Sequence, residues 1–223
     1  MTASPIIIHP LAPEDAAAVE EICYRTGHNG DDLTGRGLFG DRHLFAMLFA
    51  LHYVRHEREH CFAACERDGG RVVGYILGTR DTAAQERRFA RRMIPPIALR
   101  ALLFSSWRHR GALSTMLHFK RFGDANRLPE RILEEYPAHL HINVLPGLHA
   151  RGAGSSLIAR FEEHMRERGA RGIHLVTSEA NVKAVPFYLK HGYTVAQKLS
   201  PGFWPDAPGV HALVFVKKLT PFR

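Results

Sequence analysis

Apolar residues fall along this chain in two spacings. Unbroken or alternating apolar runs at residues 6–8, 61–67, 71–79, 139–145, 173–177, 195–199 and 212–217 read as strands. Between them the apolar positions recur every three to four residues, the mark of one helix face. One helix opens at Pro13-Glu14-Asp15 and runs through Val19 and Ile22 to about Tyr24, with its acids at the N-terminus as the helix dipole prefers. A second covers residues 42–55. A third carries Leu157, Ile158, Phe161 and Met165 on one face and ends at Gly169, with Glu162 and Arg166 spaced to pair across one turn. A fourth spans residues 182–191 and is capped by Gly192. Asp68-Gly69-Gly70 joins two strands as a hairpin turn. Residues 81–136 are helical and basic, divided by Pro95-Pro96, with a last short helix that begins at Leu128-Pro129-Glu130 and stops before Pro137. The order β-α-α-β-β-(helical insertion)-β-α-β-α-β-β predicts one α/β (α+β) domain over residues 1–223. Its sheet is mixed, its helices lie on both faces, and its insertion covers about 82–137.

The stretch from His139 to Gly154, HLHINVLPGLHARGAG, organises this pattern. A strand ends near Leu145, because Pro146-Gly147 stops ladder pairing. Gly152-Ala153-Gly154 then leads into a helix with Gly154 and Ser155 in its first turn. The first amides of a helix have no intrahelical partner and sit at the positive end of its dipole, so an anion docks there. Gly152 and Gly154 lack the Cβ atoms that would hold a phosphate away, and Arg151, Ser155 and Ser156 add donors. A dinucleotide loop needs G-x-G-x-x-G almost directly after its strand, whereas six residues separate Leu145 from Gly152 here and Leu157 takes the third glycine position. No G-x-x-x-x-G-K-[ST] nucleotide loop occurs.

Composition narrows the classes. The chain is 45% apolar, and no run approaches the ~20 apolar residues of a membrane span. Met1-Thr2-Ala3-Ser4-Pro5 lacks the basic-then-apolar order of a signal peptide, so the expected location is cytoplasmic. Three cysteines are too few for a disulfide framework, and Cys61 and Cys65 read as strand core. The net charge of +8 suits nucleic acid or a polyanionic cofactor. In the insertion, Arg87, Arg88, Arg91, Arg92, Arg100, Arg108 and Arg110 alternate with Phe89, Met93, Leu99, Leu102, Leu103, Phe104 and Trp107. Such a stretch is a solvated face whose apolar stripe packs on the body or on a second subunit, the homodimer reading, or else a surface for RNA or anionic membrane. The glycine-rich loop from Gly27 to Gly40 reads as a substrate lip where Asp31 and Asp32 attract a cationic amine, or as a solvated hinge. His139 and His141 leave the same face of their strand. They read as a proton-transfer pair, an edge feature or part of a metal site, for which no third ligand has suitable spacing.

The string around His149, Gly152 and Gly154 resembles motif A of the GNAT acetyltransferases, Q/R-x-x-G-x-G/A. It departs from that pattern at His149, while Arg151 is the arginine that many members carry before the first glycine. The string from Asn181 through Ala184, Phe187 and Tyr188 to Gly192 and Tyr193 resembles the family's motif B, N-x-x-A-x-x-F-Y-x-x-x-G-F/Y. The resemblance implies the GNAT acyl-CoA N-acyltransferase fold, with a mixed, mostly antiparallel central sheet, and acetyl-CoA as cofactor. It implies that His149, Ala150, Arg151, Gly152, Ala153, Gly154, Ser155 and Ser156 hold the pyrophosphate. Backbone groups of Asn143, Val144 and Leu145 would pair with the pantetheine arm, and Asn181 would bind it further along. Ala138-His139-Leu140-His141 and Val185-Pro186-Phe187-Tyr188 resemble the histidine pair and tyrosine helix of the arylalkylamine N-acetyltransferases. That implies His139 and His141 as a proton path and Tyr188 as the acid for the departing sulfur, beside its contact with the cofactor.

A broader resemblance covers roughly residues 59–218. Glu59 to Phe62, Gly74 to Asp81, Leu128-Pro129-Glu130 and Tyr136-Pro137 are similar to the acetyltransferase-like C-terminal domain of animal O-GlcNAcase and its bacterial stand-alone relatives, insertion included. The expected function is transfer of acetyl from acetyl-CoA to a primary amine, on a small molecule or a protein lysine. The rival is a cofactor-binding module that has lost efficient transfer and serves regulation or interaction. A nucleic-acid binder built on the insertion stands behind both.

Overall fold

A computed structural model describes residues 6–67, 70–105, 110–147 and 152–220. They form a seven-stranded sheet in the order β1-β2-β3-β4-β5-β7-β6. The strands are β1 (Ile6–Pro10), β2 (Phe62–Glu66), β3 (Val72–Thr79), β4 (Ala138–Val144), β5 (Gly172–Ser178), β6 (Thr194–Pro201) and β7 (His211–Lys218). Every neighbouring pair is antiparallel except β4 and β5. Their parallel register covers only Ala138↔Ile173 and His139↔His174, after which the strands part.

The helices follow the predicted order with two changes. α1 (Ala16–Arg25) begins one turn late, because Pro13–Asp15 forms a tighter 3-10 turn. The helix expected over residues 42–55 is two, α2 (Arg42–Phe49) and α3 (Leu51–His56), broken at Ala50, whose φ of −130° leaves the helical range. Ala50 is 1% exposed, so the bend sits within the core. The insertion contains α4 (Thr82–Arg92), α5 (Ile94–Arg100), a wider turn over Ala101–Ser105, α6 (Arg110–Ala125) and α7 (Glu130–Glu135). Pro95 and Pro96 begin α5 rather than end α4; proline's fixed φ suits a first helical turn. α8 (Ala153–Glu167) and α9 (Ala184–Lys190) complete the set. Among the described residues no helix is long and apolar enough to cross a membrane.

Strand alternation assigns each side chain to a layer. Tyr75 and Leu77 of β3 pack with α1, α2, α3 and the insertion on one face. Ile76, with Leu140 of β4 and Ile173 and Leu175 of β5, packs with Leu157, Ile158, Phe161 and Met165 of α8 on the other. The four residues read as one face of a helix are thus its buried face, all at 0–1% exposure. Gly78 lets α8 pack close against the sheet. A Cβ there would lie 2.4 Å from the Phe161 ring and 2.5 Å from the His139 carbonyl. Gly78→Ala is therefore expected to destabilise the fold by about 1–3 kcal/mol, seen as a lower urea midpoint with unchanged slope.

Candidate active site

The divergence of β4 from β5 creates an opening inside the sheet. Leu145 N–H donates to the Val73 carbonyl at 2.9 Å, so the odd-numbered residues of β4 turn their backbone groups toward β3. The even-numbered residues, Ile142 and Val144 among them, turn theirs toward the gap beyond the last β5 pair. The predicted strip Asn143 to Leu145 is divided accordingly. Val144 presents backbone to the opening, the Leu145 amide is taken by Val73, and Asn143 contributes its side chain, whose Nδ2 donates to the Tyr75 hydroxyl at 2.7 Å.

Two cavities of about 250 and 260 Å³ open from this gap and share Thr26, Gly30, Asn143 and Asn181. The first lies between β4, α8 and α9, and Val144, Gly154, Ser155, Lys183, Tyr188 and Lys190 are among its walls. At its end stands the N-terminus of α8. Gly152, with φ +79°, turns the chain into that helix, and Ser156 N–H donates to the Gly152 carbonyl at 3.0 Å. That first bond leaves the amides of Ala153, Gly154 and Ser155 without intrahelical acceptors. A Cβ on Gly152 would meet nothing within 4 Å, whereas one on Gly154 would lie 3.3 Å from the Phe187 ring. His191 donates through Nδ1 to the Phe187 carbonyl at 2.8 Å, so its Nε2 accepts from the Ser155 hydroxyl at 3.1 Å. Ser155 is thereby tied to α9, while the expected contributors His149, Ala150 and Arg151 lie outside the described residues. Asn181 caps the first turn of α9 by accepting from Ala184 N–H at 3.0 Å. Its amide also faces Gly30, where a Cβ would come within 2.7 Å.

The second cavity lies on the other side of the gap, and His141 and Asn143 are on its wall. His139 stands one pleat further in. Its ring centroid is 4.7 Å from that of His141 and 5.0 Å from that of His174, and its Nδ1 is 3.1 Å from the Tyr53 hydroxyl. His174 donates through Nδ1 to the Tyr136 carbonyl at 2.6 Å. Burial, then the neighbouring imidazoles, hold His139 well below the ordinary histidine range, and burial followed by His174 brings His141 down to about 4. Both rings are neutral near pH 7. Tyr188, 6% exposed, is pushed up from its ordinary value by burial and keeps its proton over the same range.

Of the residues singled out in the sequence, Tyr188, Gly154 and Ser155 line the first cavity, His141 the second and Asn181 both, while His139 stands behind His141 and lines neither. Sequence reasoning missed Tyr53 and His174, which touch His139 only once the strands are in register. It also missed Lys183, Lys190 and His191, which were in view within the motif B string. The structure places Asp32 in the loop's own bonding, where it accepts from Thr34 N–H at 2.8 Å and from Arg25, while Asp31 is exposed and 3.9 Å from Arg36; neither is among the lining residues of these two cavities.

Two changes test this geometry. Gly154→Asp puts a carboxylate at the free amides of α8 and is expected to weaken acetyl-CoA binding about tenfold or more, read by calorimetric titration. His141 and His164 are both lowered from 6.5 to about 4, each chiefly by burial. The unfolded chain binds more protons than the folded one between those values, so the unfolding free energy should fall as pH drops from 6.5 toward 4. His141→Gln should make that slope shallower in urea titrations at stepped pH.

Comparisons with known proteins agree with this architecture. The model of the acetyltransferase (GNAT) family matches residues 31–193. The crystal structure of SsHAT superposes with a TM-score of 0.74 at 31% identity, covering 97% of this chain and 99% of that one. YncA from Salmonella typhimurium, a putative acetyltransferase solved with its cofactor acetyl-CoA, gives a TM-score of 0.59 at 14% identity over 99% of this chain and 97% of that one. A Bacillus subtilis (strain 168) protein, YxbD, is 42% identical over 43 residues, which span 19% of this chain and 27% of that protein's length. With a family match over most of its length, a sheet split beside a free helix N-terminus and a like-folded relative, the chain belongs to the GNAT family of acetyltransferases, whose cofactor is acetyl-CoA.

Proposed function

We propose that this protein is an N-acetyltransferase that moves an acetyl group from acetyl-CoA to a primary amine, and that the whole chain acts as one catalytic domain. The observation that carries this is His141, an imidazole on the wall of the second cavity, two residues along β4 from the Asn143 that both cavities share, with its pKa brought down to about 4 chiefly by burial. The groups around the cavity between β4, α8 and α9 fit the cofactor. The free amides of Ala153, Gly154 and Ser155, with the Ser156 hydroxyl, suit a pyrophosphate, and His149, Ala150 and Arg151, just before them in the sequence, are assigned to the same group by the motif A resemblance. Lys183 and Lys190 add cations on the cavity wall. The open backbone of Ile142 and Val144 suits an amide-bearing arm laid alongside β4, with Asn143 and Asn181 as its side-chain contacts. Bound there, acetyl-CoA supplies an acetyl group already activated as a thioester.

The chain's own residues supply the proton traffic. An amine arrives as an ammonium and must lose a proton before it can attack. A ring nitrogen of His141 accepts that proton, directly or through water, and His139 continues the path inward with Tyr53 on its Nδ1. The acceptance is uphill, because burial disfavours the imidazolium, and the same burial keeps the base available near neutral pH. Tyr188 holds its proton on the opposite wall and donates it to the leaving sulfur.

The likeness of residues 59–218 to the acetyltransferase-like domain of O-GlcNAcase supports a finer placement among its bacterial stand-alone relatives. His141→Ala and Tyr188→Phe should each lower turnover by roughly 10²–10⁴-fold while leaving acetyl-CoA affinity within about threefold. Steady-state kinetics beside calorimetric titration measure both quantities. Parallel loss of turnover and cofactor affinity would remove the proton-transfer roles.

A further inference from the structure

The two cavities differ in charge. Lys183 and Lys190 stand on the cofactor side, whereas the described lining of the other contains no lysine, arginine or carboxylate. Its body is aromatic, with Phe45 and Phe49 from α2, and Phe203 and Trp204 from the loop between β6 and β7. Of the nearby acids, Asp206 is 3.1 Å from His28 and Asp32 is 3.4 Å from Arg25, while Asp31, 3.9 Å from Arg36, is exposed and not among the lining residues.

The helical insertion holds this wall in place. The Phe119 ring of α6 stacks on Phe203 at 4.7 Å and 12° and meets Trp204 edge-on at 5.0 Å. Thr115 donates its hydroxyl to the Leu38 carbonyl at 2.7 Å, and His118 Nε2 donates to the Gly202 carbonyl at 2.6 Å. Gly111 lets α6 approach the Gly37 carbonyl, which a Cβ would meet at 2.7 Å. One helix of the insertion thus grips both loops that frame the cavity.

We infer that the acceptor is a primary amine carried on an uncharged, apolar body, and that α6 fixes the aromatic wall that selects it. The inference rests on the transferase reading and adds the acceptor class to it. A polyamine would bury a second ammonium, and a free amino acid would bury a carboxylate, with no counter-charge on this lining. Either loses hydration without repayment. A flat apolar body instead gains from leaving water and from ring-to-ring contact.

The test separates acceptor class from catalysis. 2-Phenylethylamine and spermidine are titrated calorimetrically into protein saturated with CoA, and both are then assayed for acetylation with acetyl-CoA. Phenylethylamine should bind at least about tenfold tighter than spermidine, and Phe203→Ala should weaken it about tenfold. Val176→Asp, which sets a carboxylate on the β5 wall of the cavity, should weaken phenylethylamine and strengthen spermidine, so the outcome does not hang on the folding of one variant. Equal or tighter binding of spermidine to the parent, or indifference of phenylethylamine to both variants, overturns the acceptor class. Phenylethylamine that binds with these preferences yet is not acetylated leaves the class standing and overturns the transferase reading; acetylation of spermidine alone does the reverse.

Discussion

Parallel pairing between β4 and β5 stops after two residue pairs, and the site follows from that stop. Backbone amides and carbonyls inside a protein have to be satisfied, and an interrupted ladder leaves a row of them facing a gap. On β4 the odd-numbered residues are already paired with β3, so the unmet groups belong to Ile142 and Val144. A ligand with amide groups of its own can complete that ladder, while water does so in its absence. The rest of the sheet continues around the break. β5 is paired along its whole length with β7, and β4 with β3, so the gap is flanked by fully bonded strands.

Both sides of the gap are held by contacts far from the chemistry. Glu162 of α8, 5% exposed, accepts from Lys217 Nζ at 2.7 Å and from Arg166 at 3.0 Å, and the same Lys217 donates to the His191 carbonyl at 2.7 Å. This buried cluster ties α8, β7 and the end of α9 together. Tyr188 and His191 are thereby fixed relative to Ser155 and Gly154. Removing one partner of such a cluster leaves a buried charge uncompensated, so its contribution is to position as much as to stabilise. On the opposite face the insertion plays the matching part, gripping the two loops that frame the second cavity through Thr115, His118 and Phe119.

Much of this was legible from local chemistry. Pro146-Gly147 marked the end of β4, Gly152 and Gly154 marked the helix start, and the Leu157, Ile158, Phe161, Met165 spacing marked its buried face. The Glu162–Arg166 pair was readable at four-residue spacing, but Lys217 was not, because only sheet topology brings β7 to α8. His139 and His141 were legible as a same-face pair. The lowering of their proton affinity was not, since it comes from burial, with His174 beside them in the folded sheet. The break at Ala50 left no mark, as neither glycine nor proline occupies it. The pairing of Asp32 with Arg25, the last residue of α1, was not legible, because only the folded loop brings the two together.

Asn181 and Gly30 belong to the walls of both cavities. Gly30 holds a φ of +91°, and the Asn181 amide fills the place of its missing Cβ while its Oδ1 caps α9. One side chain therefore forms part of two walls at once. A shift of Asn181 on occupation of one cavity would alter the boundary of the other, and free-energy linkage would make that influence on affinity equal in both directions. A single amide is thus the partition across which ligands in the two cavities would sense each other.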